Sequence, residues 1–257
     1  MDFICKDYNS VLASLSQLIG VSEEKISSAL EYDWDNQYER ENDEYIDFGE
    51  YVLHKAFPNI LIPIERPTVH WFHGARAIEP ESYYDNGILP LFDMFPKVKQ
   101  IIDDIAVRLH ISAKECHTHL QEENRLLIEM KLGDPEIHGG PYAMLMYEAL
   151  ITPGCYAANN YTKEPEIISQ YAYMKYDKEA DIILDEFRRI SHPMIVEFTE
   201  PENATSYVSL NHLITTAIHY LYRKIHDKKP NLCANTCFSN RGKDIPACNI
   251  VGVYILD

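Results

Sequence analysis

The stretch from Val69 to Leu91 constrains the fold most, because it reads as a strand followed by a turn of unusual composition. Its first half alternates apolar and polar residues and is rich in aromatic rings, which is typical of a half-buried strand. The strand ends at His73-Gly74-Ala75-Arg76, where an imidazole and a guanidinium flank a glycine that lets a flat ligand approach the backbone. Asn86-Gly87 then predicts a turn before the apolar chain resumes.

Composition narrows the class of protein. The 257 residues carry 40 acids and 23 bases, a net charge of −17, which argues against non-specific attraction to nucleic acid or to an anionic membrane. No apolar run is long enough to span a membrane, and the first residues lack the pattern of a secretory signal. Six scattered cysteines then favour reduced thiols. We therefore expect a cytoplasmic protein with no membrane partner.

An acidic run separates the N-terminal segment from the rest of the chain. Residues 3–30 predict two short helices, and residues 31–50 contain nine acids with Arg40 as the only base. Such a run is typical of a solvated, partly disordered connector. The alternatives are an acidic surface for a basic partner or a plug over a basic site. We place a boundary near residue 60, so that residues 1–60 form a helical extension with an acidic connector and residues 61–257 form the main domain.

The remaining elements predict an α+β fold with short strands widely separated by helices. Apolar periodicity and capping residues predict helices over 98–109, 112–132, 142–151, 165–171, 178–190 and 210–225. Strands are predicted over 155–158, 193–199, 207–208, 232–238 and 249–256.

The segment H-G-A-R followed by G-I-L-P-L resembles the first signature of the diphtheria-toxin-like ADP-ribosyltransferases, the class that includes the poly(ADP-ribose) polymerases. That class reads H-G-[ST]-R and then G-[IL]-L. The resemblance implies a split pair of small antiparallel sheets with surrounding helices, with NAD as substrate. It also implies that His73 binds a ribose of NAD and that the backbone of Gly74 holds the nicotinamide carboxamide. Arg76 would fix the turn or bind a phosphate.

A second signature of that class, G-x-Y-F-A followed by a short helix ending in an aromatic residue, is similar to the segment from Gly154 to Tyr171. The resemblance implies that Tyr156 and Tyr171 enclose the nicotinamide ring, since an aromatic pair can hold a planar ring by stacking. The alternative is that both are core tyrosines in a chain that contains 18.

The third signature, a glutamate on a late strand, is missing. The corresponding position falls near Phe238-Ser239-Asn240, where neither polar side chain can supply negative charge. Glu197 and Glu200 are the alternatives. Members of the class without this glutamate either transfer a single ADP-ribose or are inactive, so the resemblance implies mono-ADP-ribosylation and not polymer synthesis.

The sequence therefore predicts an NAD-dependent mono-ADP-ribosyltransferase that modifies a protein or nucleic acid, as a bacterial toxin or phage-defence effector would. One alternative is a catalytically silent sensor or interaction module that binds NAD or ADP-ribose. Another is an enzyme like the RNA 2′-phosphotransferases, which use basic residues in place of the glutamate, with Arg241 as one of them.

We predict no metal site. Cys116, His117 and His119 fall on no common helix face, and the spacing of Cys233 and Cys237, with Cys248 beyond them, gives no paired C-x-x-C.

Overall fold

The structure, a computed structural model, describes residues 1–41, 46–60, 62–114, 118–152, 161–202, 204, 208–229 and 231–257. The protein has the predicted α+β class. Among the described residues, no helix combines the length and the apolar character that a membrane crossing needs.

The described strands form one six-stranded sheet, and not the split pair of sheets that the resemblance implies. The strands are β1 (Asp2–Phe3), β2 (Thr68–Ala77), β3 (Tyr142–Met144), β4 (His192–Thr199), β5 (Cys237–Ser239) and β6 (Ile250–Ile255). Their order is β5-β3-β2-β4-β6, with β1 paired to β2 outside this path. At ten residues, β2 is long enough to pair with β1, β3 and β4, and this joins the strands into a single sheet.

The pairing of neighbouring residues defines the register of the sheet. β1 runs parallel to β2, with Phe3 opposite Val69, whereas β3 is antiparallel to β2. β4 and β6 are antiparallel, with Ile195 opposite Tyr254, and the register shifts between Glu197 and Phe198. β4 is buried over five successive residues, which explains why its sequence reads as a continuous apolar strand.

The described residues also form a series of helices. They are α1 (Tyr8–Ile19), α2 (Glu23–Leu30), α3 (Trp34–Glu41), α4 (Phe48–Ala56), α5 (Ser82–Asn86), α6 (Leu91–Arg108), α7 (His119–Gly133), α8 (Pro135–His138), α9 (Glu148–Ile151), α10 (Glu166–Tyr176), α11 (Ala180–Ile190) and α12 (Leu210–Ile225).

The chain divides into two compact units that alternate along the sequence. Unit 1 comprises residues 1–72, 144–158 and 207–238, and unit 2 comprises residues 73–143, 159–206 and 239–257. The predicted boundary near residue 60 coincides with none of these changes.

In unit 1, α12 is the central helix and packs against α1, α2 and α4. Ten consecutive residues of α12, from Leu213 to Tyr222, are buried. Gly49 of α4 packs so closely that a Cβ there would lie 2.1 Å from the carbonyl oxygen of Thr215. This close contact is possible because glycine has no side chain.

Much of the described acidic run is helical, whereas a partly disordered connector was predicted; the run is solvated as expected over α3, which buries none of its residues. It contains α3 and the start of α4, and several of its acids have partners within unit 1. Asp47 caps α4 by accepting from two backbone amides, and Glu41 accepts hydrogen bonds from Tyr51 and Lys55. Asp35 pairs with Lys228. Part of the charge that would attract a basic partner is therefore already neutralised.

In unit 2, a helical core forms between α6, α7, α10 and α11. Its buried apolar side chains include Ile102, Ile128, Ile168, Ile183 and Phe187. The burial of each large apolar side chain contributes roughly 2 kcal/mol to the stability of the folded protein.

Several short segments differ from the prediction. Residues 142–151 form β3 and then α9 where one helix was predicted, and residues 232–238 form a short 3-10 helix before β5 where one strand was predicted. The backbone of Leu145 donates to the carbonyl of Thr236 at 2.9 Å. A partner so distant in sequence is invisible to local patterning.

His219 makes the stability of unit 1 depend on pH. It is buried on α12 against Phe48, its Nδ1 has no hydrogen-bond partner among the described residues, and burial lowers its pKa to about 4. The unfolded chain therefore binds this proton at a higher pH than the folded chain. The contribution is present above pH 6.5 and is lost as the pH falls toward 4, a loss of about 3 kcal/mol.

Urea unfolding at a series of pH values checks this prediction. His219→Leu should lose stability less steeply than the wild type between pH 6.5 and 4. His54→Gln, which alters an exposed histidine, should follow the wild type. Parallel curves for the wild type and His219→Leu would contradict the assignment.

Candidate functional site

A cleft of about 840 Å³ lies within unit 2 at the end of β2. This volume is typical of a site for a small molecule or a cofactor. The residues that line it are 73–79, 82–83, 86–89, 91, 94, 97–98, 100–101, 131, 138–142, 161, 165–168 and 187. His73, Gly74 and Arg76, which the sequence singled out, are all among them.

His73 is half-buried in the wall of the cleft, and its tautomer follows from its contact. Its Nδ1 lies 2.7 Å from the carbonyl oxygen of Tyr142. Because a carbonyl oxygen only accepts, Nδ1 carries the hydrogen. Burial lowers the pKa of His73, partly opposed by this hydrogen bond, so the neutral ring predominates at pH 7. Nε2 is then an acceptor for a ligand hydroxyl.

Gly74 follows His73 on the wall and presents no side chain to the cleft. A planar group can therefore approach the backbone of Gly74 more closely than it could approach a residue that carries a side chain.

Arg76 fixes the end of β2, which is the structural alternative considered for it. Its Nε donates to the Ser191 hydroxyl at 2.8 Å, and its terminal nitrogens donate to the carbonyls of Thr162, Arg188 and Ser191. Burial, together with the positive charge of Arg188, lowers the pKa of Arg76. The guanidinium is thus engaged with protein acceptors, and a phosphate would have to compete with them.

Tyr171 does not line the cleft, so the structure does not bring it to His73. It is 4% exposed within the helical core, edge-on to Phe95. Its hydroxyl donates to Asp103, which also accepts from Tyr176 and Lys175. These donors stabilise the half-buried carboxylate of Asp103, and this explains why the ring faces α6.

Tyr156, the other predicted clamp residue, lies outside the described residues, as do Cys116 and His117. The role of Tyr156 stays a prediction. The predicted strand over 155–158 is likewise undescribed.

Other tyrosines line the cleft that the sequence reasoning missed. Tyr83, Tyr142 and Tyr161 contribute to its wall. Burial raises the pKa of Tyr83 to about 12, so its hydroxyl stays protonated. Tyr83 could have been found from its place between the two halves of the first signature. Tyr142 could have been found from the Gly-Gly-Pro turn before it.

No carboxylate occupies the position of the missing third signature. Asn240 is fully buried, and its Nδ2 donates to the Asp244 carbonyl. Glu197 is 4% exposed, accepts from the Tyr254 hydroxyl at 2.6 Å and does not line the cleft, and neither does Glu200. The sequence alternatives for this carboxylate are therefore not placed in the cleft.

Charged side chains from other elements of the fold line the cleft. Lys131 of α7 and Glu166 of α10 form an ion pair, with 2.5 Å between Nζ and Oε2. Lys97 and His138 also line the cleft, and neither side chain has a hydrogen bond or ion pair in the part of the chain described. Glu79 adds a second carboxylate.

A search of the described residues for groups of three or more His, Cys, Asp or Glu side chains placed to hold a metal ion finds none. Cys233, Cys237 and Cys248 are free and exposed.

Comparisons with protein-family models, with curated proteins and with solved structures found no match for this chain.

Gly87 determines the turn at the rim of the cleft, and its replacement should destabilise the protein strongly. Its φ of 69° and ψ of −154° suit only glycine, and a Cβ would lie 1.9 Å from the carbonyl oxygen of Ile245, which accepts from the Ile88 amide. We expect Gly87→Ala to lower the unfolding free energy by about 4 kcal/mol. Gly20→Ala is the matched control, since Gly20 has a φ of 67° and open space around it, and should cost about 1 kcal/mol. Equal losses in chemical denaturation would contradict the role assigned to Gly87.

Arg76→Lys should also act through stability. A lysine cannot satisfy the acceptors that the guanidinium serves, so we expect a loss of about 2 kcal/mol. Arg189→Lys changes an exposed arginine whose ion pair in the described part of the chain is with Glu186, and should change stability by less than about 0.5 kcal/mol. Thermal unfolding of both variants checks the difference. A stable Arg76→Lys variant with weakened ligand binding would show instead that Arg76 serves a phosphate.

Proposed function

We propose that the protein binds NAD in this cleft and transfers a single ADP-ribose to a protein or nucleic-acid acceptor. What supports the proposal most is one observation. A histidine of fixed tautomer, followed by glycine, forms the wall of a cleft of suitable size, at the point where the sequence resembles the first ADP-ribosyltransferase signature.

The lining suits a dinucleotide. NAD carries a diphosphate, and Lys97 and His138 are side chains of the cleft that are available to meet it. Aromatic residues such as Tyr83 offer surfaces on which a base or the nicotinamide can stack.

The residues of the chain would act mainly by orientation. Nε2 of His73 accepts a hydrogen bond from a ribose hydroxyl, and the backbone of Gly74 contacts the carboxamide. The reaction breaks the bond between the nicotinamide nitrogen and the ribose C1′, and the electron pair leaves with nicotinamide. A nucleophile of the acceptor then bonds to C1′ and releases its proton.

A second candidate is a catalytically silent module that binds NAD or ADP-ribose. The observation in its favour is that Ser239 and Asn240 stand where the class has its glutamate. An RNA 2′-phosphotransferase-like activity has less support. Arg76 is the sole arginine among the described residues that line the cleft, and it is engaged with backbone carbonyls.

Incubation with adenylate-labelled NAD, in the presence of protein, DNA or RNA, tests the proposal. We expect nicotinamide release and label transfer by the wild type, and at least about a 10-fold loss with His73→Ala, because a ligand hydrogen bond is removed. His54→Ala, at an exposed histidine of unit 1, is the matched control and should retain full activity. Calorimetry with NAD separates the candidates. Binding without release supports the silent module, and the absence of binding rejects both.

A further inference from the structure

The two carboxylates in the cleft differ in how firmly the structure holds them. Glu166 is the first residue of α10 and binds Lys131 of α7, whose side chain is only 16% exposed. Glu79 follows β2, is exposed, and its side chain has no partner among the described residues. A reaction that develops positive charge needs a fixed negative charge beside it.

We infer that Glu166 supplies the carboxylate that the late strand lacks, and that Lys131 is the residue that positions it. The inference rests on the proposed function and assigns to that same cleft a charged residue on a different element of the fold. Glu166 lies on a helix, whereas the missing glutamate of the resemblance belongs to a strand.

One oxygen of Glu166 is available for a substrate. Lys131 contacts Oε2, and Oε1 has no hydrogen bond to any described residue. An ionised carboxylate accepts from several donors, so Oε1 can receive a ribose hydroxyl while Oε2 keeps the ammonium. The first turn of α10 also favours the negative charge through the helix dipole.

The backbone beneath the pair is rigid. Ile167 and Ile168, which follow Glu166, are buried in the helical core, and Ile128 on α7 is buried in the same cluster. Because both partners stand on packed helices, their position is set by the core and not by a loop. Glu79 has no such support.

The step that Glu166 assists is balanced without a further reactant. The bond from C1′ to the nicotinamide nitrogen breaks, and its electron pair neutralises the pyridinium as nicotinamide departs. The positive charge that develops on C1′ and the ring oxygen is stabilised by the carboxylate. A hydroxyl or amine of the acceptor, or water, supplies the electron pair of the new bond, and its proton passes to solvent.

Three variants compared with the wild type test the inference, with nicotinamide release from NAD as the readout of turnover and calorimetry as the readout of binding. Glu166→Gln removes the charge but keeps the shape and an acceptor for Lys131. Lys131→Gln breaks the same ion pair but leaves the carboxylate in place. Glu79→Gln removes the other cleft carboxylate.

We expect Glu166→Gln to bind NAD within about 3-fold of the wild type while kcat falls by about 100-fold. Lys131→Gln should lower kcat by about 10-fold with NAD affinity little changed, and Lys131→Arg should restore most of it, since arginine can hold the same carboxylate. Glu79→Gln should lower kcat by clearly less than Glu166→Gln does.

Three outcomes would overturn the assignment. These are a kcat for Glu166→Gln within a few-fold of the wild type, equal losses for Glu166→Gln and Lys131→Gln, and a larger loss for Glu79→Gln. Equal losses would mean that the ion pair matters for structure only. Wild-type protein that binds NAD and releases no nicotinamide fails the proposed function itself, and the inference falls with it. An active wild type with an active Glu166→Gln rejects only the inference.

Discussion

The contacts of the Arg76 guanidinium are the interaction on which the site depends most. Three backbone carbonyls, all far from Arg76 in sequence, accept from one half-buried side chain, and so the end of β2 is tied to the turn between α11 and β4. A strand end is normally free to fray, because its last amides lack partners. Here the side chain removes that freedom three residues after His73. The orientation of the imidazole toward the Tyr142 carbonyl, and with it the choice of tautomer, follows from a strand that cannot shift.

The sequence was informative where a residue's role depends on its own neighbours in the chain. Alternation and aromatic content located β2, and the apolar run from Pro193 located β4, because a strand repeats every two residues whatever it packs against. The glycine after His73 likewise marked a point of close approach without any tertiary information. Three residues that these local features singled out, His73, Gly74 and Arg76, line one cleft.

The sequence was uninformative where a partner distant in the chain determines the position of a side chain or the conformation of a segment. Tyr171 sits on a helix with buried residues on most of its faces, so periodicity could not tell whether its ring points to the cleft or to the core. Its hydroxyl belongs to Asp103, which lies 68 residues earlier on α6. The same reason applies to β3 and β5, whose three residues each carry too little pattern to be separated from a helix turn. Lys131 and Glu166 are also 35 residues apart, and neither segment contains a pattern that predicts their ion pair.

The charge of the whole chain and the charge of its cleft have different consequences. The protein carries −17, but the cleft is lined by Arg76, Lys97 and Lys131 against two carboxylates, which leaves a small positive excess there. Exposed charges interact over about 8 Å at physiological salt, so a small anion within the cleft experiences the cations of the cleft more than charges farther away. A long polyanion extends beyond the cleft, and the net negative charge of the protein repels the part that stays outside. The local charge of the cleft is therefore compatible with a small anion, whereas the net charge of the protein opposes the binding of a nucleic-acid strand. Any nucleic-acid acceptor would have to be presented as a short end or a flipped group.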